Sequence, residues 1–246
     1  MSEIYKSAKT NLKRQINIEE KKDFKFPDSD NQQAYNTKTS GYVQDVATTI
    51  IADIAVKANC KIHIISPKGS FVNKVQVLFK TEKNVEDKIL DRIYENFDFS
   101  RNEYVEDNYV LAFKQLTEIA LKAMSPGIND PETTLNSIDY LSELLLLRVQ
   151  KEDVIITFKD DKPFILLNSI TFEKLLYQVM LSLRTYCKHD AILMKKMLEM
   201  LKNLLHKCEI ETYSSSIKIE VENLLIDAKE AIKNERDLKI LQNAVE

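Results

Sequence analysis

IALKAMSPGINDPETT, residues 119–134, stops one helix and starts the next. Pro126 has no N–H and its ring blocks a helical turn, and Gly127 can take the left-handed conformation that closes a helix C-terminus at little steric cost. The restart follows at once. Asp130 is an N-cap whose carboxylate can accept the second or third helical amide, Pro131 suits the first helical position, and Glu132 favours the positive end of the helix dipole. Upstream, Val105, Tyr109, Ala112, Phe113, Leu116, Ile119, Ala120 and Ala123 follow helical spacing and predict a central core helix over 105–123; downstream, a helix is expected from Pro131 to about Val149. This punctuation explains Pro126, Gly127, Asp130 and Pro131 by structure alone and explains Ser125 and Asn129 less well. A serine hydroxyl and an asparagine amide beside free helical amides also make an anion or polar-ligand site, so Ser125, Gly127, Asn129 and Asp130 are ligand-binding candidates.

Towards the N-terminus, Val46, Ile50, Ile51, Ile54 and Ala55 predict a buried helix ending near Ala58, and helical periodicity returns over 84–97 through Val85, Ile89, Ile93 and Phe97. Between these helices KIHIIS and KVQVLFK alternate around the turn PKGS, giving a hairpin-like unit. A second such unit is VIITF, the polar turn KDDK and PFILL. From Thr171 the pattern is almost wholly helical, over about 171–187, 189–208 and 216–233, with a short terminal piece. Residues 3–20 are lysine-rich with a thin apolar face and read as a surface helix or incoming arm, while Lys21–Lys38 has the composition of a linker. The expectation is an α+β fold, predominantly helical, with two short β-hairpin-like units. Residues 1–34 form the arm and linker, and 35–246 the globular domain, with 35–100 mixed and 101–246 mainly helical.

Composition removes several classes of function. The 35 basic and 38 acidic residues give a net charge of −3 with neither sign gathered in a block, so no nucleic-acid surface is implied. The odd count of three cysteines, Cys60, Cys187 and Cys208, fits free thiols in a reducing compartment, hence the cytoplasm. No run approaches the roughly 18–20 apolar residues that span a bilayer, and MSEIYKSAK lacks the apolar core of a signal peptide. No phosphate loop, dinucleotide fingerprint, HExxH or GxSxG occurs. Ser125 has no histidine near it in sequence, and hydrolase chemistry would need His63, His189 or His206 brought to it in space. Cys187-x-His189 and His206-x-Cys208 flank an expected turn, but residues two apart on a helix point about 200° apart. Core cysteines and surface histidines are expected there, with no metal and no cofactor.

Only three glycines occur, each inside a short motif: TSGYVQ at Gly41, PKGSFV at Gly69 and MSPGINDP at Gly127. In so glycine-poor a chain each marks a position needing positive φ or close approach. Around Gly41, Tyr42 and Gln44 alternate and would face one side of an extended segment, lining a shared surface. The structural alternative packs Tyr42 in the core and lets Gln44 satisfy a buried backbone group. Arg101 and Asp107 precede the central helix as a candidate structural charge pair.

SGYVQ at 40–44, PKGSFV at 67–72, the Arg101 to Asp107 approach and above all IALKAMSPGINDPETT together resemble domain of unknown function 2254, a group of predicted bacterial membrane proteins, over roughly 35–208. Ser70 and Ala47 stand where relatives tend to carry Asp, and Lys122 replaces a usual Arg, which weakens any acid-dependent role. The resemblance implies a part attached to transmembrane helices that are absent from this sequence, on the cytoplasmic side of the bacterial cell membrane, with residues 3–20 leading from the membrane. The expected function is non-enzymatic: a cytoplasmic regulatory or assembly domain of a membrane protein, transporter- or channel-like, forming a homo-oligomer. The alternative is a ligand-sensing or enzymatic domain in which Tyr42, Gln44, Ser125, Gly127, Asn129 and Asp130 contact a small anionic molecule.

Overall fold

The computed structural model describes residues 1–18, 32–101, 108–159 and 162–243. Its elements belong to two compact units: one of residues 1–16, 105–151 and 171–246, the other of 17–104 and 152–170. Each unit is therefore assembled from segments far apart in sequence.

The second unit holds the strands β1 (Gln33–Asn36), β2 (Gly41–Val46), β3 (Ile62–Ile64), β4 (Phe71–Val72), β5 (Val77–Thr81), β6 (Phe97–Ser100), β7 (Val154–Lys159) and β8 (Lys162–Asn168), with the helices α2 (Thr48–Lys57) and α3 (Asp87–Tyr94). They form a five-stranded sheet ordered β1-β5-β3-β8-β7 and a three-stranded sheet ordered β4-β2-β6. All ladders are antiparallel except β3 on β8. Alternation fixes which face is buried: Ile62 and Ile64 on β3, Ile165 and Leu167 on β8 and Phe79 on β5 meet Ile51, Ile54 and Ala55 of α2 and Ile93 of α3 in one core.

Both expected strand pairs exist, with one difference. β7 and β8 form a simple hairpin, whereas β3 and β5 are antiparallel neighbours joined by a segment that leaves for the other sheet as β4. The PKGS turn makes that departure possible: Gly69 sits at φ 82° and donates its amide to the Val43 carbonyl at 2.8 Å. Gly41 serves close approach instead, since a Cβ there would lie 3.0 Å from the Ser100 carbonyl oxygen.

Two readings of the sequence are corrected in this unit. Gln33–Asn36 had linker composition, yet it forms an edge strand on β5, with Tyr35 stacked on Phe79 at 5.1 Å between ring centroids. The helix expected over 84–97 is confined to 87–94, and Phe97 begins a strand in which it stacks on Phe99. In both cases aromatic packing overrides a weak local signal.

The other unit is helical: α1 (Ser2–Ile18), α4 (Tyr109–Ala123), α5 (Pro131–Arg148), α6 (Phe172–Cys187), α7 (Ala191–Lys207), α8 (Glu211–Ala231) and α9 (Glu235–Asn243). Side-chain caps start several of them: Asn108 accepts from the Val110 amide, Thr171 from Lys174, and Asp190 from Ile192 and Leu193. Leu193, Met194, Met197, Leu198, Leu201 and Leu204 of α7 are all fully buried, and α7 packs on α5, α8 and α9. α8 starts five residues before the apolar periodicity does, because Tyr213 is buried against Phe172. The α+β, predominantly helical class holds, with the strands confined to two small sheets.

The N-terminal helix is more than a surface arm. Ala8 and Leu12 are fully buried, the Tyr5 ring lies 4.8 Å from Tyr140, the Tyr5 hydroxyl donates to Glu143, and Lys9 reaches the Glu143 carboxylate at 2.9 Å. Tyr5, Ala8 and Leu12 share one face of the helix and dock it, with Asn11 buried beside them. Leu12→Ala is therefore expected to lower unfolding free energy by about 2–5 kcal/mol, as a core truncation does. Urea denaturation checks this, and a change under about 0.5 kcal/mol is what a surface arm would give.

Candidate functional site

α4 stops at Met124, which caps the helix in a right-handed turn geometry, and the chain reverses over the next residues. The Ser125 carbonyl accepts the amides of Ile128 and Asn129, both at 3.0 Å, and the Ser125 hydroxyl donates to the Lys122 carbonyl at 2.7 Å. Gly127 does not take the left-handed conformation expected of it, and a Cβ there would meet nothing within 4 Å. The left-handed residue is Asn129, at φ 47°. The reversal falls immediately before the new helix rather than at the end of the old one, and asparagine is the non-glycine residue that tolerates it best.

Asp130 caps α5 as the sequence predicts. Its carboxylate accepts the Thr133 amide at 3.1 Å and the Thr133 hydroxyl at 2.6 Å. The hydroxyl bond first, then the amide, holds the Asp130 carboxyl below the usual carboxylate range. The helix ends are also tied together, by the Asp130 amide on the Ala123 carbonyl at 2.8 Å and by the buried Thr134 hydroxyl on the Ala120 carbonyl at 3.2 Å. Pro131 occupies the first turn. What the loop offers solvent is therefore Pro126, Gly127, Ile128, which is 62% exposed, and Asn129.

Tyr42 and Gln44 lie in the other compact unit. In β2, Gly41 and Val43 are buried and Tyr42 and Gln44 half-buried, with Gln44 the extra residue where the ladder to β6 shifts register. The Tyr42 ring meets the exposed Phe71 edge-on at 5.2 Å. Tyr42 is thus a surface aromatic on the small sheet. Arg101 is exposed, and Asp107 lies outside the described residues.

The cysteine and histidine pairs separate as elements of structure. Cys187 is buried, and desolvation with the nearby Asp190 charge pushes its thiol up to about 12, which opposes the thiolate a metal needs. His189 and His206 are exposed, and Cys208 donates to the Ile210 carbonyl at 3.2 Å. Among the described residues no three His, Cys, Asp or Glu side chains are placed so that they could hold a metal ion.

Sequence reasoning missed a set of buried charges. The Arg148 guanidinium, fully buried, donates to the Lys151 carbonyl at 2.7 Å and lies 5.9 Å from the Phe172 ring and 6.0 Å from the Tyr213 ring. The Tyr213 hydroxyl donates to the same carbonyl at 3.2 Å. On the seam of α6 and α8, Arg184 pairs with Asp227 at 2.9 Å and with Glu220 at 3.4 Å. Burial pushes the Glu220 carboxyl up, opposed by the Arg184 charge. The signal was present: each charge sits on the apolar period of its helix, Arg148 after Leu141, Leu144 and Leu145, and Arg184 among Met180, Leu183 and Cys187.

Together these features describe a helix-rich α+β protein whose most distinctive motif is a structural joint between two core helices. A family model described as predicted membrane protein, domain of unknown function 2254, matches residues 1–203, and the chain belongs to that family. No curated protein and no solved structure matches it significantly. Among the described residues no helix is long and apolar enough to cross a membrane.

Two predictions follow from the joint. Asn129→Gly should leave stability equal or higher and Asn129→Ala should cost about 1 kcal/mol, since only the latter is strained at positive φ; thermal unfolding distinguishes them. Asp130→Ala should lower the melting temperature near neutral pH. Because the folded-state pKa is depressed, the charge-dependent stabilisation is present above the ordinary carboxylate pKa and lost as pH falls through the lowered value. The gap between wild type and variant should accordingly narrow in acid.

Proposed function

We propose that this chain is a cytoplasmic regulatory or assembly domain of a bacterial membrane protein, transporter- or channel-like, and that it works by self-association rather than by catalysing a reaction. The observation that carries this reading is the use of the SPGINDP polar groups: the Ser125 hydroxyl and both Asp130 carboxylate oxygens are bonded within the helix joint, and an isoleucine, Ile128, is among the residues the loop exposes. Membership of a predicted membrane protein family supports the attachment to a membrane. A domain fixed to membrane helices follows their oligomeric symmetry.

Asn129 favours a second reading, since it is exposed beside a helix N-terminus and could bind a small anion there. That reading requires an anionic compound to stabilise wild type and not Asn129→Gly. For the assembly reading, light scattering over a concentration series should find a discrete oligomer. A strict monomer at high concentration would overturn it.

A further inference from the structure

β7 is an edge of the five-stranded sheet, and Val154–Thr157 pair only with β8 among the described residues. Its sequence, VIITFK, is an unusual edge. Strand edges are normally blunted by proline, by inward charge, by shortness or by a bulge on the edge strand. The opposite edge, β1, follows that rule: it is short, and three of its four residues, Gln33, Ala34 and Asn36, are exposed. β7 has six residues, and Val154 through Phe158 are half-buried on both faces alike. The irregularity in its ladder places the extra residue, Phe164, on β8, so β7 itself keeps an unbroken alternation.

We propose that the outer edge of β7 pairs antiparallel with β7 of a second copy of this chain, about a two-fold axis at Ile156, to make one continuous ten-stranded sheet. This rests on the assembly reading and gives it a surface and a register. A two-fold axis perpendicular to a sheet keeps each face on its own side, so opposite residues must come from the same face of the strand. Three centres then keep the strands overlapped. Centring on Ile155 puts Lys159 opposite Lys151, which is fully buried and lies outside β7; centring on Thr157 puts Lys159 opposite Ile155. Centring on Ile156 puts Asp153 opposite Lys159 at both ends, Val154 opposite Phe158 and Ile155 opposite Thr157. Only that register is complementary in charge and in shape. Lys159 already meets Asp53 at 2.9 Å, but both side chains are about half exposed, and such a pair exchanges partners at little cost. Six residues a side make a small interface, so the dimer forms as concentration rises.

The test is oxidative cross-linking of the full chain carrying Ile156→Cys in a Cys208→Ser background, Cys60 and Cys187 being buried. Directly opposite residues have Cα atoms about 4.5–5.5 Å apart, within disulfide range, whereas two copies of Phe158→Cys would be offset by about 14 Å along the strands. Expected is a covalent dimer from Ile156→Cys and none from Phe158→Cys. Asp153→Lys and Lys159→Asp should each weaken dimerisation roughly tenfold and the double variant should restore it, with circular dichroism confirming the fold. If a dimer persists by light scattering while Asp153→Lys has no effect and Ile156→Cys does not cross-link, the edge pairing is overturned and assembly stands. A strict monomer overturns both, and equal cross-linking of the two cysteine variants shows random collision and overturns the register.

Discussion

The parallel ladder between Ile62–Ile64 and Ile165–Leu167 is the constraint on which the sheet-bearing unit depends. Its strands lie about a hundred residues apart, so every intervening helix must be accommodated before the ladder closes, and that closure is entropically expensive. Side chains reinforce it: His63 Nε2 meets the Asn168 amide oxygen at 2.9 Å, and the Asn168 amide donates to the Ile65 carbonyl at 3.3 Å. Burial holds His63 below its ordinary pKa, opposed by the Asn168 bond. Once β8 is fixed beside β3, the hairpin carries β7 to the outside of the sheet, and α2 packs across β7 and β8.

The helical unit has its own point of convergence at Lys151. The carbonyl there receives the guanidinium of Arg148 from α5 and the hydroxyl of Tyr213 from α8, while the Phe172 ring of α6 stacks on Tyr213 at 4.7 Å. Three helices thus meet around this one carbonyl. The Arg184, Glu220 and Asp227 set pins α6 and α8 in one register. Buried ion pairs add little net stability against well-packed apolar residues, but losing one partner leaves the other charge buried and unpaired at a large cost. The helix joint at Ser125–Asp130 ties α5 to α4, the Asp130 amide and the Thr134 hydroxyl both donating to α4 carbonyls.

Where local chemistry decided the outcome, the sequence was readable. Asp130 and Pro131 placed the start of α5, the periodicity read over 105–123 placed α4, which runs from Tyr109, with 105–107 outside the described residues, and the periodicity after Thr171 placed α6 and α7. Where long-range packing decided it, the sequence misled. β1 and β6 are strands because Tyr35, Phe97 and Phe99 stack in the core of their unit, and α1 is docked because Leu12 finds a buried place. The candidate site was readable in its capping and not in its backbone: Asn129, not Gly127, makes the left-handed turn, since the position of the reversal is set by the tie between Ala123 and Asp130. Buried Arg148 and Glu220 escaped notice because charge suggests solvent, although their helical phase matched the core.

An assembly domain built on this sheet should show its contact surface in the backbone amides. Hydrogen exchange measured across a range of protein concentration tests that most directly. The account predicts that protection of Val154–Thr157 rises with concentration while that of the opposite edge, Gln33–Asn36, stays constant. Protection of β7 that does not change over a range in which the chain associates would place the interface elsewhere and contradict it.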